Sequence, residues 1–344
     1  MTNHDDLELK RALDALPRSI DPPEDLWPSV RGRLAPRLAR GTVRRPDWSA
    51  VLQPRALRLA AGIAAIGVGL AVLTAVTRAR AKWQVAQVAG APHLGGATMR
   101  DRRTFPVGAE LLTDAHSRAL VRVGTIGEVE VDPNTHLRLL TAKATEHRLA
   151  LERGRIHARI SAPPRLFFVE TPSATAVDLG CAYTLEVDEA GNSLIHVTLG
   201  WVSFERGGHE SLVPAGMRAV TRAGGRIGTP FADDAPEALR LALAAFDFAG
   251  GGDTALAAVL REARARDAIT LWHLLARSTG AQREAVYGRL AALVPPPPGV
   301  TRDGALRLDG VMLRLYWEKL PLSLPITPEW TKTLWRWWLR LTSW

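Results

Sequence analysis

The 344-residue chain is 47% hydrophobic and 23% charged, the composition of a protein that folds rather than one that stays disordered. Its single cysteine, Cys181, excludes an intramolecular disulfide and any cysteine-based zinc cluster. The formal net charge of +9 is unevenly spread: eight arginines and one acid, Asp47, lie between Pro28 and Arg58. A basic block of this kind beside an apolar run reads first as a topology signal.

Residues 5–16 place Leu9, Ala12, Leu13 and Leu16 at helical spacing, with Asp5, Asp6 and Glu8 at the end where acids suit the helix dipole and Pro17 as the stop. After Pro22-Pro23 a second stripe follows, formed by Leu26, Trp27, Val30, Leu34 and Leu38, with Pro36 ending it. Two such short helices cannot bury their apolar faces on each other alone. Residues 1–56 are therefore expected to dock on a cytoplasmic protein through Leu9, Leu13, Leu16, Leu26, Trp27, Val30 and Leu34; an inert tail with transient helices is the alternative. No recognisable helix-turn-helix or base-stacking motif accompanies the arginines, so direct nucleic-acid binding is not expected.

Residues 59–77 form an uncharged apolar run close to the ~20 residues that cross a hydrocarbon core. Within the span predicted over residues 57–79, this run has six arginines shortly before it and Arg78, Arg80 and Lys82 just after it, a bias that puts the N-terminus in the cytoplasm. It begins too far along the chain for a cleaved signal peptide.

From residue 83 to 229 the texture changes to short alternating runs closed by Gly, Pro or Asp-Pro. In 117–123, Ala119, Val121 and Val123 share one face; later runs include GEVEV, HLRLL, LFFVE, AYTLEV, SLIHVTL and WVSFE. Such spacing without intervening helices predicts an all-β roll, solenoid or sandwich. The ordered series Pro106-Val107-Gly108, SRALVRVGTIGEVEVDPNTHLRL, LALERGRIHARI, FFVETPSATAVDLGCAYTLEVD, IHVTLGWVSFE and VPAG resembles the FecR domain of membrane-anchored regulators of extracytoplasmic-function sigma factors, over roughly residues 85–220. The stretch LDALPRSIDPPEDLWPSVRGRL resembles the N-terminal segment of bacterial anti-sigma factors, without the His/Cys zinc signature many of them carry. The resemblance places fold-defining turns at Gly108, Gly127, Gly154, Thr171-Pro172, Gly180 and Gly200. Where the family commonly has Gly-Thr followed by an aromatic, this chain has Gly180-Cys181-Ala182-Tyr183. A hydroxyl there is able to attack the preceding carbonyl in an acyl shift, so Cys181 is either a nucleophile for chain cleavage or a small packed hydrophobe.

No catalytic arrangement, cofactor motif or phosphate loop appears, and the chain is not expected to be an enzyme. His147 and His157 are candidates for neighbouring strands, with a hydrogen-bonded rather than metal-ligating role. The run AGGGDTA at 249–255 reads as a helix break with Asp253 or Thr254 as cap. Residues 234–320 carry four helical patterns, expected to stack on one another and to end at PPPPG. In the tail, 328–344, Trp330, Trp337 and Trp338 line one face and Lys332, Arg336 and Arg340 another, a pattern for the membrane interface or for docking on the helical stack. The whole reads as a multi-domain, mainly β protein with one transmembrane helix and a C-terminal α-helical region. The expected setting is the bacterial inner membrane, with the C-terminus periplasmic and no cofactor. The expected partners are a sigma factor inside, an envelope protein or glycan outside, and the lipid bilayer. An envelope scaffold with an inert cytoplasmic tail is the alternative.

Overall fold

The computed structural model describes residues 82–321. The span and the two segments predicted at either end of the chain lie outside these residues. Among the described residues no helix is long and apolar enough to cross a membrane.

The β region opens with β1 (Gln84–Ala89), β2 (His93–Leu94), β3 (Ala97–Thr98), β4 (Arg103–Thr104) and β5 (Glu110–Leu112). Next come β6 (Arg118–Val123), β7 (Gly127–Val131), β8 (His136–Lys143) and the long β9 (Glu146–Ile160). It closes with β10 (Phe167–Glu170), β11 (Thr175–Asp178), β12 (Ala182–Val187), β13 (Ser193–Leu199), β14 (Trp201–Arg206), β15 (His209–Pro214), β16 (Met217–Thr221) and β17 (Phe231–Ala232). One sheet runs β4-β1-β6-β7-β9-β12-β13-β16-β17. The other runs β3-β2-β5-β8-β9-β10-β11-β14-β15. The hairpins β6–β7, β12–β13 and β16–β17 lie in the first sheet and β8–β9, β10–β11 and β14–β15 in the second, and β9 belongs to both.

The crossing is written in β9. Its first half buries Leu149 and Leu151, at odd positions, while its second half buries Ile156, Ala158 and Ile160, at even ones. A one-residue change of this kind moves a strand's apolar set to the other face, and it needs a local break in the backbone. Gly154 supplies the break with φ +93°, and a Cβ there would lie 2.3 Å from Thr135 Oγ1. The turn expected at Gly154 is thus a bend inside one continuous strand. Elsewhere alternation is regular: β6 buries Ala119, Val121 and Val123, and β12 buries Tyr183, Leu185 and Val187. Between the sheets, Trp83 stacks on Phe167 at 6.3 Å and meets Phe105 edge-on. Its indole N–H donates to His147 Nδ1 at 3.3 Å, which leaves the imidazole neutral and lets it sit in the core.

Six helices follow: α1 (Glu237–Phe248), α2 (Gly252–Glu262), α3 (Ala268–Arg277), α4 (Gly280–Leu293), α5 (Arg302–Leu306) and α6 (Gly310–Trp317). The expected stack does not stand alone, since it packs on the β region and shares one apolar core with it. PPPPG does not end it, because α5 and α6 come after. The expected cap at Asp253 or Thr254 is also displaced: α2 starts at Gly252 with Gly251 as its N-cap, so Asp253 lies in the first turn. Strands β14 and β15 show the docking in their burial. Trp201, Val202, Ser203 and Phe204 are all buried, as are Ser211, Leu212, Val213 and Pro214, because helices cover the face that solvent covers elsewhere.

Candidate functional site

The junction of the helices with β14, β15 and β17 is held by polar groups that the core excludes from water. Arg277 on α3 donates through Nη1 to the Ile227 carbonyl at 2.8 Å and to Thr229 Oγ1 at 3.1 Å, and through Nη2 to Ser211 Oγ at 2.5 Å. Asp247, near the end of α1, accepts from Thr229 N–H at 2.6 Å and Thr229 Oγ1 at 2.9 Å, with Arg277 Nη1 3.6 Å away. Burial raises the Asp247 pKa while Arg277 and Thr229 oppose the rise, and burial lowers that of Arg277 against the pull of Asp247. One turn earlier on α3, His273 donates through Nε2 to the Leu212 carbonyl at 3.0 Å. Burial, with Arg277 nearby, pushes its pKa down to about 3, so this imidazole is neutral.

Beside this network lies an open groove of about 640 Å³, walled by the β14–β15 turn, α1, α3 and α6. Trp272 and Trp317 meet edge to face at 4.8 Å along it, and the Trp272 indole N–H donates to the Leu313 carbonyl at 3.2 Å. Trp201 of β14 approaches Trp317 at 5.3 Å. A second depression of about 450 Å³ adjoins the groove at Gly208, His209 and Glu210. Its cations are engaged: Arg148 bonds Glu146 and Glu170 and lies over Phe168, and Arg165 bonds Glu205.

The second buried cluster surrounds Cys181. Asp178 accepts from the Gly180 N–H at 2.7 Å and from the Cys181 thiol. Burial raises the Asp178 pKa to about 7 and pushes the Cys181 thiol well up, with Asp178 adding to it. The thiol is therefore held protonated at neutral pH, the opposite of an activated nucleophile. The Tyr183 hydroxyl is buried nearby with no hydrogen-bond partner among the described residues.

The glycine positions named from the sequence take different parts. Gly200 has φ +70°, and a Cβ there would stand 2.1 Å from the Gly180 carbonyl oxygen, so the two loops close only on glycine. At Gly127 the same construction meets the Arg159 carbonyl at 2.1 Å. Gly108 and Gly180 have φ of +85° and +88°; a Cβ at Gly108 would meet open space, and one at Gly180 would make ordinary contact with the Ala162 carbonyl at 3.6 Å. Thr171 opens the β10–β11 turn, where its Oγ1 accepts from Ala174 N–H at 3.0 Å and from Ser193 Oγ at 2.8 Å. Ser173 joins Ser193 and Thr221, and this hydroxyl cluster ties the turn at Pro172 to the opposite sheet.

His147 and His157 are not on neighbouring strands. Both lie on β9, ten residues apart and on opposite sides of its bend. His157 bonds Asp132 at 3.0 Å and Thr184 at 2.9 Å. Among the described residues no group of three or more His, Cys, Asp or Glu is placed to hold a metal ion. Leu9, Leu13, Leu16, Leu26, Trp27, Val30 and Leu34 lie outside the described residues, as do Trp330, Lys332, Arg336, Trp337, Trp338 and Arg340. The groove was not legible beforehand, because its walls come from segments far apart in sequence. Single residues such as His273 and Arg277 look like any others on an amphipathic helix.

No curated protein matches the chain. Two crystal structures of a candidate anti-sigma factor from Parabacteroides distasonis are similar to it, at 17% and 16% identity, each with a TM-score of 0.33. The similarity covers 36% of this chain and 60% of theirs, less than two thirds of the neighbours' own length. Residues 109–203, from the strand after Gly108 to the middle of β14, match the family model described as FecR protein.

Proposed function

We propose that the protein is a membrane-anchored regulator that binds and controls an extracytoplasmic-function sigma factor in response to an envelope signal, and that it performs no catalysis. The observation that carries this reading is the FecR match over residues 109–203, taken with the anti-sigma-like leucine and tryptophan pattern of residues 1–56 and the apolar run at 59–77. In the proposed arrangement the FecR domain and its helices lie in the periplasm. The apolar run crosses the inner membrane with the N-terminus inside, and Leu9, Leu13, Leu16, Leu26, Trp27, Val30 and Leu34 grip the sigma factor. The absence of a His/Cys signature in that segment makes the grip independent of metal. A periplasmic change then reaches the sigma factor through one helix.

Deleting the gene and sequencing the transcripts tests the role without assuming which sigma factor is bound. Up- or down-regulation of one coherent set of promoters sharing a sigma-type recognition pattern is expected. An unchanged transcriptome, under envelope stress and without it, contradicts the reading.

A further inference from the structure

The groove at the junction of helices and sheet differs from the neighbouring depression in how its charges are used. Asp247 is committed to Thr229 and Arg277, and Glu210 accepts from Ser203 Oγ at 2.5 Å, its pKa raised mainly by burial. Arg226 and Arg314 also line the groove, and neither side chain has a hydrogen-bond or ion-pair partner among the described residues. Arg226 is close enough to Arg277 to lower the latter's pKa, so like charges converge at this end. Unpaired guanidinium groups at the mouth of a concave site favour an anion, for which they offer planar paired donors. The apolar part of the lining includes Phe246, Trp272, Leu313 and Trp317, and His209, His273 and Gln282 are its neutral polar members. A few convergent polar groups over an aromatic floor, in a volume of several hundred cubic ångströms, is the usual construction of a small-molecule site.

We infer that this groove binds an anionic amphiphile, a small molecule with a flat aromatic or acyl body that lies along the half-buried Trp272 and Phe246 and a carboxylate or phosphate-type head held by Arg226 and Arg314. The body excludes water from the exposed parts of Trp272 and Phe246, which favours burial in proportion to its apolar area. The head supplies the negative charge that the two arginines lack. A neutral molecule of the same shape gains the first contribution only, and a cationic one meets repulsion from Arg226, Arg314 and Arg277. The site needs no sigma factor, so the inference stands or falls apart from the regulatory role.

The probe is 2-naphthoate, titrated by calorimetry into the full chain in lipid nanodiscs, with 2-naphthalenemethanol as its neutral counterpart. One site per chain is expected, with the carboxylate binding about tenfold or more tighter than the alcohol. Replacing both rim arginines (Arg226→Gln with Arg314→Gln) should abolish that preference while leaving the alcohol's weak binding in place. Ala276, whose side chain faces the groove from an exposed position on α3, provides an independent variant: Ala276→Phe fills the space without touching the core and should block both probes. The inference is overturned by equal affinity for the two probes, by wild-type affinity in either variant, or by no heat of binding at millimolar probe.

Discussion

Replacing Arg277 by methionine tests how the helices are fixed to the β region. The change keeps an apolar stem but removes the donors to Ile227, Thr229 and Ser211 and the charge opposite Asp247. The Asp247 side chain is only 6% exposed, so it is left as a buried carboxylate with no counter-charge. Breaking a buried pair from one side destabilises by about 3–5 kcal/mol. Thr229 still donates twice to Asp247, which places the expected loss near the lower end, about 3 kcal/mol. Removing the carboxylate charge as well should offset part of it, so Arg277→Met with Asp247→Asn is expected to be at least ~1 kcal/mol more stable than the sum of the single changes. Guanidinium unfolding followed by tryptophan fluorescence reads the effect, since Trp201, Trp272 and Trp317 report this junction. The single variant should also gain stability as the pH falls and Asp247 takes up a proton. Wild-type stability in Arg277→Met, or strict additivity in the double variant, would refute the account of the junction.

Gly154→Ala should cost at least about 3 kcal/mol by thermal unfolding, because left-handed strain of ~1–2 kcal/mol adds to a clash with Thr135. Gly108→Ala, with similar φ but open space, should cost only the strain; equal losses at the two sites would contradict the assigned role of the bend. The Asp178 carboxyl is raised from 3.8 to about 7 in the fold, so its contribution is complete below pH 3.8 and lost as pH rises through about 7. That rise corresponds to stability on the order of 4 kcal/mol, and Asp178→Asn should flatten the pH dependence in this window; an unchanged slope would show that the carboxyl is not the group titrating. Mass spectrometry should find an intact chain in the wild type and in Cys181→Ala alike, because the buried thiol is held protonated; fragments ending at Gly180 in the wild type alone would overturn the packing role.

The β architecture was largely legible because most strands have one face in the core and one in water. Ala119, Val121 and Val123 announce β6, and Tyr183, Leu185 and Val187 announce β12. The signal failed where that condition failed. WVSFE shows no alternation once helices cover its outer face, so it revealed a strand but not what lay on it. In β9 the change of parity at Gly154 looked like the end of one strand and the start of another, since local pattern does not distinguish a bend from a turn. The helices of 237–293 were visible from their three-to-four spacing, but their docking was not. It rests on Arg277 and His273 bonding carbonyls fifty and sixty-one residues away, a long-range pairing that no window of sequence contains. The groove follows from the same docking and was hidden for the same reason.

The central claim, a grip on a sigma factor by the N-terminal segment, is most directly tested by co-purification from the native host. The full-length tagged protein is compared with a variant carrying charged residues at Leu13, Leu26 and Trp27. Anchors of this kind typically contribute about 2 kcal/mol or more each, so the variant should lose its partner while reaching the membrane at normal levels. A sigma subunit recovered with the wild type and lost with the variant is the predicted result. Recovery of no sigma subunit with the wild type, or equal recovery with the variant, would contradict it.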